Sequence, residues 1–282
     1  MKRITPFVIA LAALAFLTSC SSLRVGYSFA DWYLVSEIDD MFDLDSTQKQ
    51  KVDELVDQLH HWHKTEEIPR IIVMLDQAAD RMKPSLSQND LNWLSKELVD
   101  MKIRTVNQVA DEVSVLLTTL SDQQIDHLEQ ALAEQNEETE EKLSMPLDEW
   151  EEERRERTIE TLNDWFGSLD EQQERELLAA TDFDRTARRR HHVQTIAVQK
   201  RFVAFLRTKP SAAEIKSTLS SWIIAPDTYY SDEYREFRSQ QRKKRAAFYL
   251  KLNRTITERQ RQTAIDKLMS YRSDLDIIHT SS

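Results

Sequence analysis

Residues 44–48 read Leu44-Asp45-Ser46-Thr47-Gln48, and this pattern recurs along the chain. In each instance an apolar residue precedes Ser, Thr or Asp, and Gln or an acidic residue follows three positions later. The short polar side chain can accept from the N3 amide while the N3 side chain reaches back to the cap amide, which is typical of a helix start with a capping box. The residues that we expect to form these caps are Asp45, Gln48, Ser87, Asp90, Ser121, Gln124, Asp170, Gln173, Thr257 and Gln260, with Ser211 and Glu214 as a weaker sixth instance.

Composition points to the same fold class. The chain has 282 residues and only 2 glycines, which excludes dinucleotide-binding turns and phosphate-binding loops, because both need several glycines at fixed spacing. We therefore expect an all-α protein, an array or bundle of about ten helices that follows a cleaved signal peptide. The predicted helices span 30–42, 46–63, 66–82, 87–118, 121–143, 147–166, 170–180, 184–207, 211–223, 230–253 and 257–276.

The N-terminus has the features of a targeting segment. Lys2 and Arg3 precede an apolar stretch over 4–17, which suits a secretory signal and is short for a membrane span. The stretch ends in Leu17-Thr18-Ser19-Cys20, which resembles the bacterial lipobox. The resemblance implies that a lipid is attached to Cys20 and that the chain is cut just before it. The alternative is an ordinary cleavable signal followed by a chance cysteine.

These features predict the domain organisation and the location. We expect a lipoprotein signal peptide over 1–19, an anchor and short linker over 20–29, and a helical domain over 30–282. Two sub-bundles are an option within that domain, with a break near 144–147 or 181–184. By resemblance to the sorting rules of enteric-type bacteria, Ser21 favours the outer membrane, with the domain facing the periplasm.

Charge is unevenly distributed. Residues 121–180 carry 5 basic and 20 acidic residues, whereas 181–282 carry 21 basic and 11 acidic residues. One interpretation, which we favour, is that these helices pack together and neutralise each other. The other is a basic face offered to an anionic partner such as lipid or lipopolysaccharide phosphate. The candidate residues for that face are Arg188, Arg189, Arg190, Arg242, Lys243, Lys244 and Arg245.

The most recognisable stretch lies between Gly26 and Arg70. It contains Gly26-Tyr27, Asp31-Trp32, the segment from Phe42 to Gln48, and Glu67-Ile68-Pro69-Arg70. This combination is similar to an uncharacterised family of Gram-negative lipoproteins, a domain of unknown function. The resemblance implies an envelope location and an all-helical fold, and it implies no activity.

A looser resemblance concerns the helix starts. They are similar to the leucine-threonine-x-x-glutamine segments of small periplasmic chaperones of the Spy and CpxP type. The resemblance implies a chaperone-like function. A capping box is also a generic way to begin a helix, so it can recur without a shared function.

His60, His61 and His63 form the densest cluster of candidate ligands. His60 and His63 share a helix face with Glu67 one turn beyond, and three such groups can bind zinc. However, we expect a helix break near 64–65 to separate Glu67 from the histidines. We therefore favour a solvated helix end, and predict no metal site and no cofactor.

The chain is also rich in tryptophan. Its aromatic set consists of Trp32, Tyr33, Trp62, Trp93, Trp150, Trp165 and Trp222. We interpret these side chains as anchors of helix packing, with an apolar groove for a client or partner helix as the alternative.

Together these observations predict an outer-membrane lipoprotein that acts as a protein-interaction or chaperone-like binding module. The alternative is a structural envelope component that recognises anionic lipid or lipopolysaccharide. The expected partners are the membrane, through the N-terminal lipid, and an envelope protein or unfolded client; we expect no nucleic acid. We predict no enzymatic activity, because no nucleophile stands beside a base in an evident catalytic pattern.

Overall fold

The computed structural model describes residues 22–181 and 183–281, and within these ranges the chain is all-α. The predicted fold class is confirmed, whereas the predicted signal peptide and Cys20 lie outside the described residues. The helices are α1 Ser22–Ser28, α2 Ala30–Phe42, α3 Ser46–Trp62, α4 Ile68–Met82, α5 Gln88–Thr118, α6 Asp122–Ser144, α7 Leu147–Phe166, α8 Glu171–Ala180, α9 Arg185–Arg207, α10 Ala212–Ile224, α11 Asp232–Thr255 and α12 Glu258–Thr280. A π-helical turn, His63–Glu67, joins α3 to α4, and a 3₁₀ turn, Pro226–Tyr229, precedes α11.

Capping boxes begin six of these helices. At α3, for example, the amide of Gln48 donates to the Asp45 carboxylate at 2.9 Å, and the amide of Asp45 donates to the Gln48 side chain at 3.0 Å. The boxes stand at the starts of α3, α5, α6, α8, α10 and α12. These starts therefore satisfy first-turn amides locally, with no need for a neighbouring helix.

The hydrophobic side chains of the described residues form four buried clusters that do not follow the chain order. The first cluster combines α3 and α6 with the ends of α5 and α9 and with α10. The second joins α4 to α12, the third joins α7, α8 and α11, and the fourth again joins α4 to α12. Neither predicted break divides these cores, because the first cluster takes residues 44–56, 117–128 and 203–215 from both sides of each break.

The beginning of the folded part differs from the predicted linker over 20–29. Ser22–Ser28 forms helix α1 instead. Leu23 and Tyr27 pack against the second cluster, which α4 and α12 form, and the guanidinium of Arg24 lies 3.1 Å from the Asp274 carboxylate of α12. This segment is therefore part of the fold, because its apolar face covers the contact between α4 and α12.

The predicted break near 64–65 is also absent. The π-helical turn His63–Glu67 keeps the chain helical from α3 into α4. Glu67 is completely buried, and the Arg104 guanidinium donates to both of its carboxylate oxygens at 2.6 and 2.8 Å. A π turn widens the helix by one residue, and here this change coincides with a buried ion pair.

The acidic middle and the basic C-terminal third do form ion pairs with each other. Representative contacts between them are Arg189–Glu140, Arg207–Asp126, Lys209–Asp122 and Lys251–Glu176. Much of the basic excess therefore faces carboxylates of neighbouring helices. Over residues 22–181 and 183–281, no helix combines the length and the apolar composition that a membrane crossing requires.

Candidate functional site

The histidine cluster holds α1 and α2 against α3. The hydroxyl of Tyr27 lies 3.2 Å from Nδ1 of His63, and its ring packs edge-on against the His60 ring at 4.5 Å between centroids. His60 Nδ1 lies 3.1 Å from the Asp31 carboxylate. The prediction of a solvated helix end is therefore wrong for His60 and His63, which are half-buried, and only His61 is exposed.

Burial shifts the proton affinities in this cluster. Burial and the neighbouring charge of Asp31 raise the pKa of Tyr27 to about 12. Burial, assisted by His60, lowers the pKa of His63 below its ordinary value, although Glu67 acts in the opposite direction. Among the described residues, no group of three or more His, Cys, Asp or Glu side chains has an arrangement that could hold a metal ion. The arrangement packs the Tyr27 ring against the His60 and His63 rings.

The first basic run lies at the start of α9 and is partly engaged. Arg189 donates to Glu140 and to the carbonyl of Leu143, both at 2.8 Å, so it connects α9 to the end of α6. Arg190 lies 3.9 Å from Glu233. Arg188 is exposed, and its charge contributes to lowering the pKa of His191, for which burial is the larger cause.

The second basic run lies in the middle of α11. Arg242 is 3.7 Å from Asp227, and Lys243 and Arg245 are exposed, as is Lys244. The two runs therefore occupy different helices, which meet where His191 Nδ1 lies 2.9 Å from the hydroxyl of Tyr234. The cations of the candidate anion face predicted from the sequence thus come from two neighbouring helices, α9 and α11.

A cleft of about 580 Å³ lies between the beginning of α7 and the connection from α8 to α9. Pro146 separates α6 from α7 at one side, and Asp184, the N-cap of α9, accepts from the Thr186 amide at 2.8 Å at the other. Two helix ends therefore create the cleft. Its lining residues are Leu147, Glu151, Arg155, Phe183, Asp184, Arg185, Thr186 and Arg189.

The cleft combines apolar surface with charges of both signs. The Arg155 guanidinium lies over the Phe183 ring at 5.1 Å from its centroid, and Leu147 is 51% exposed. Arg185 donates to the Met145 carbonyl. Aromatic and aliphatic side chains beside guanidinium and carboxylate groups suit a polypeptide segment, which presents the same mixture.

Of the residues that the sequence indicated, only Arg189 lines this cleft. Leu147, Arg155 and Phe183 carry no periodic or motif signal, because the cleft is assembled from helix ends. The nearest sequence signal is the predicted break near 144–147, which indicates a connection between helices but not a surface.

Most of the aromatic residues that the sequence analysis singled out are packed against other side chains or half-buried, and two are exposed. Trp222 packs against Phe202 and Tyr229, and Trp165 packs against Tyr271, as expected for anchors of helix packing. Trp93 lies under the Arg81 guanidinium. Trp62 and Trp150 are half-buried, whereas Trp32 and Tyr33 are 71% and 55% exposed. The packing interpretation therefore does not apply to Trp32 and Tyr33.

The model of a family of unknown function, DUF6279, matches residues 40–235. The chain belongs to this family. The DUF6279 match contains α3, α6 and the whole cleft, whereas α1 and α12 lie outside it. No curated protein and no solved structure matches the chain. Membership of DUF6279 brings no activity with it.

Proposed function

We propose that this DUF6279 protein is an outer-membrane lipoprotein that faces the periplasm and acts as a protein-interaction or chaperone-like binding module. The lipobox residues before Cys20 support the lipid anchor. The cleft between α7 and α9 supports the binding function, and we assign to it an extended segment of a partner or unfolded client.

The observation that carries this assignment is the exposure of Leu147 in a cleft that Phe183 and three guanidinium groups also line. An exposed apolar side chain at a concave site with charges at its rim is a common feature of protein-binding surfaces. Arg155 stacks on Phe183, so part of the charge is already positioned beside the apolar surface.

Recognition of anionic lipid or lipopolysaccharide is the alternative, and it has weaker support. Arg189, Arg190 and Arg242 already face carboxylates within 4 Å. A phosphate would have to compete with Glu140, Glu233 and Asp227 for these cations. Salt-sensitive adsorption of the folded domain to anionic vesicles, stronger than its effect on any client, would favour this alternative.

The test measures by light scattering how fast an unrelated denatured protein aggregates. An equimolar amount of the domain from Ser21 onward is present, without ATP. We expect slower aggregation, and we expect Leu147→Ser and Phe183→Ser to weaken the effect. Val115→Ser is the matched control, because Val115 on α5 is 52% exposed and lies outside the cleft. A folded domain that leaves aggregation unchanged at low and high salt would contradict the chaperone-like function.

A further inference from the structure

The start of the folded chain carries a ridge of exposed apolar side chains, formed by Val25, Phe29, Trp32 and Tyr33. Their exposed fractions are 40%, 61%, 71% and 55%, respectively. Single exposed apolar residues are normal on a protein surface, but four neighbours that include three aromatic rings form a patch.

Phe29, Trp32 and Tyr33 lie on one face of α2. Phe29 is the N-cap of α2 and its carbonyl accepts from the Tyr33 amide at 3.0 Å, and Trp32 and Tyr33 follow it by three and four positions, so these side chains lie on neighbouring turns. Val25 lies in the last turn of α1, just before this junction. The opposite face of α2 packs into the first core through Val35, Ile38 and Met41. The ridge is therefore held outward by the packing of the rest of the helix.

The exposed face of α2 changes from apolar to acidic one turn after the ridge. Glu37 and Asp40 continue the same face as Tyr33 and are exposed acidic residues. The aromatic part thus lies at the N-terminal end of α2, on the side of the chain that leads back to Cys20, and the acidic part lies further away.

Chain length places the ridge close to the proposed anchor. Cys20 precedes Ser22, the first residue of α1, by two positions. Consecutive Cα atoms are about 3.8 Å apart and a helix rises about 1.5 Å per residue, so the Cα of Phe29 lies within about 20 Å of that of Cys20. Trp32 and Tyr33 lie one turn further along α2, so the ridge is close to a lipid attached at Cys20.

We propose that the ridge Val25, Phe29, Trp32 and Tyr33 docks on the surface of the bilayer in which the Cys20 lipid is inserted. This inference rests on the proposed lipid anchor. Trp and Tyr rings favour the headgroup level of a membrane, where one part of the ring is in apolar surroundings and the other is hydrated. The acidic residues Glu37 and Asp40 lie beyond this contact and keep the rest of α2 away from anionic headgroups. The docked ridge gives the domain a fixed orientation that a flexible lipid tether alone does not supply.

The test uses the full lipidated chain in vesicles of phosphatidylethanolamine and phosphatidylglycerol. Cys20 is the only cysteine of the chain, so after acylation an introduced cysteine is the sole site for an environment-sensitive fluorophore. Phe29→Cys reports on the ridge and leaves Trp32 and Tyr33 in place. Val193→Cys is the matched control, because Val193 is 65% exposed and lies on α9.

We expect the label at Phe29 to emit at shorter wavelength than the label at Val193 and to lose at least half of its intensity to headgroup-level spin-labelled lipid. Chains that float with the vesicles but show equal, weak quenching at both positions would overturn the docking while leaving the anchor intact. Chains that do not float would contradict the anchor and the docking with it. A label at Phe29 that is shielded without lipid quenching would assign the ridge to a second copy or another protein, and would also overturn the proposal.

Discussion

Gln48 and Gln124 form a reciprocal amide pair in the first core, although 76 residues separate them along the chain. Each side-chain oxygen also accepts from the backbone amide of its own N-cap, Asp45 or Ser121, at 3.0 Å. The Gln48 amide group donates to the carbonyl of Thr119 at 3.2 Å, and the Gln124 amide group donates to that of Asp43 at 3.0 Å. Each carbonyl belongs to the residue two positions before the partner's N-cap.

Gln173 of α8 and Gln260 of α12 repeat this arrangement. Their side chains exchange hydrogen bonds of 2.8 and 2.9 Å, and they donate to Thr255 and Ser168 at 3.0 Å each. Four positions after each glutamine stands a side chain that is at most 1% exposed, namely Val52, Leu128, Leu177 and Ala264. The capping box thus serves a second purpose, because its N3 glutamine joins helix starts that are distant in sequence.

The pairing predicts a strong coupling between Gln48 and Gln124. Either single change to Ala leaves buried amide and carbonyl groups of the partner without hydrogen bonds, which costs about 1–3 kcal/mol. The double change removes both partners, so we expect it to cost less than the sum of the single changes, by about 0.5–3 kcal/mol. Chemical denaturation of the four proteins measures this coupling. Gln123→Ala, at an exposed neighbouring position, is the control, and additive losses at 48 and 124 would refute the pairing.

The sequence allowed the caps to be predicted but not their pairing. A capping box is a local signal, whereas the pairing depends on how α3 approaches α6. One available signal was overlooked: the four glutamines at N3 are buried and paired with each other, whereas of the two acidic N3 residues Asp90 is half-buried beside Arg81 and Glu214 is exposed. A neutral amide can be buried with a partner at a lower cost than a carboxylate.

Other parts of the fold and of the cleft have no sequence pattern from which they could be predicted. The π-helical turn at 63–67 has no composition that distinguishes it from an ordinary helix end, so Glu67 was assigned to a separate segment. The cleft depends on Leu147 and Phe183, which stand at helix ends where periodicity gives no information.

Buried Glu67 predicts a large effect at Arg104. The Arg104 hydrogen bonds and charge, with help from Arg70, lower the pKa of Glu67 although burial alone raises it. Replacing Arg104 with Leu leaves a buried carboxylate without its main partner, and we expect a loss of about 3–5 kcal/mol in the free energy of unfolding. Arg70→Ala is the control and should cost less than about 1 kcal/mol, because the Arg70 side chain is 47% exposed. Equal losses in the two variants would contradict a dominant role of Arg104.

Acidification should destabilise the protein through His63. Burial lowers the pKa of His63 in the folded state, whereas the unfolded value is about 6.5. The folded state therefore binds fewer protons, so the stabilisation is complete above about pH 6.5 and is lost as the pH falls through the folded-state pKa. We expect the melting temperature to decrease between pH 7.5 and 5.5, and His63→Gln to reduce that decrease. His61→Gln, at an exposed position, should leave the slope unchanged; an equal change in both variants would argue against burial as the cause.

Cys20 should decide membrane attachment. Cys20→Ala removes the only thiol to which a lipid can be attached, so we expect the protein to leave the membrane fraction or to remain unprocessed. Fractionation of envelopes followed by detection of the protein measures this. Processing of the variant at the normal length together with retention in the outer membrane would show that the lipobox interpretation is wrong.

Site-specific photo-crosslinking in the living envelope tests the binding function most directly. A photoreactive amino acid is placed at Leu147, at Phe183 or, as the control, at Val115, in the full chain with Cys20 intact. We expect discrete adducts with envelope polypeptides from Leu147 and Phe183 that are absent from Val115. Loss of the Leu147 adducts in a chain that also carries Arg155→Ala would connect them to the cleft. No adducts from either cleft position, or the same adducts from Val115, would contradict a polypeptide-binding cleft.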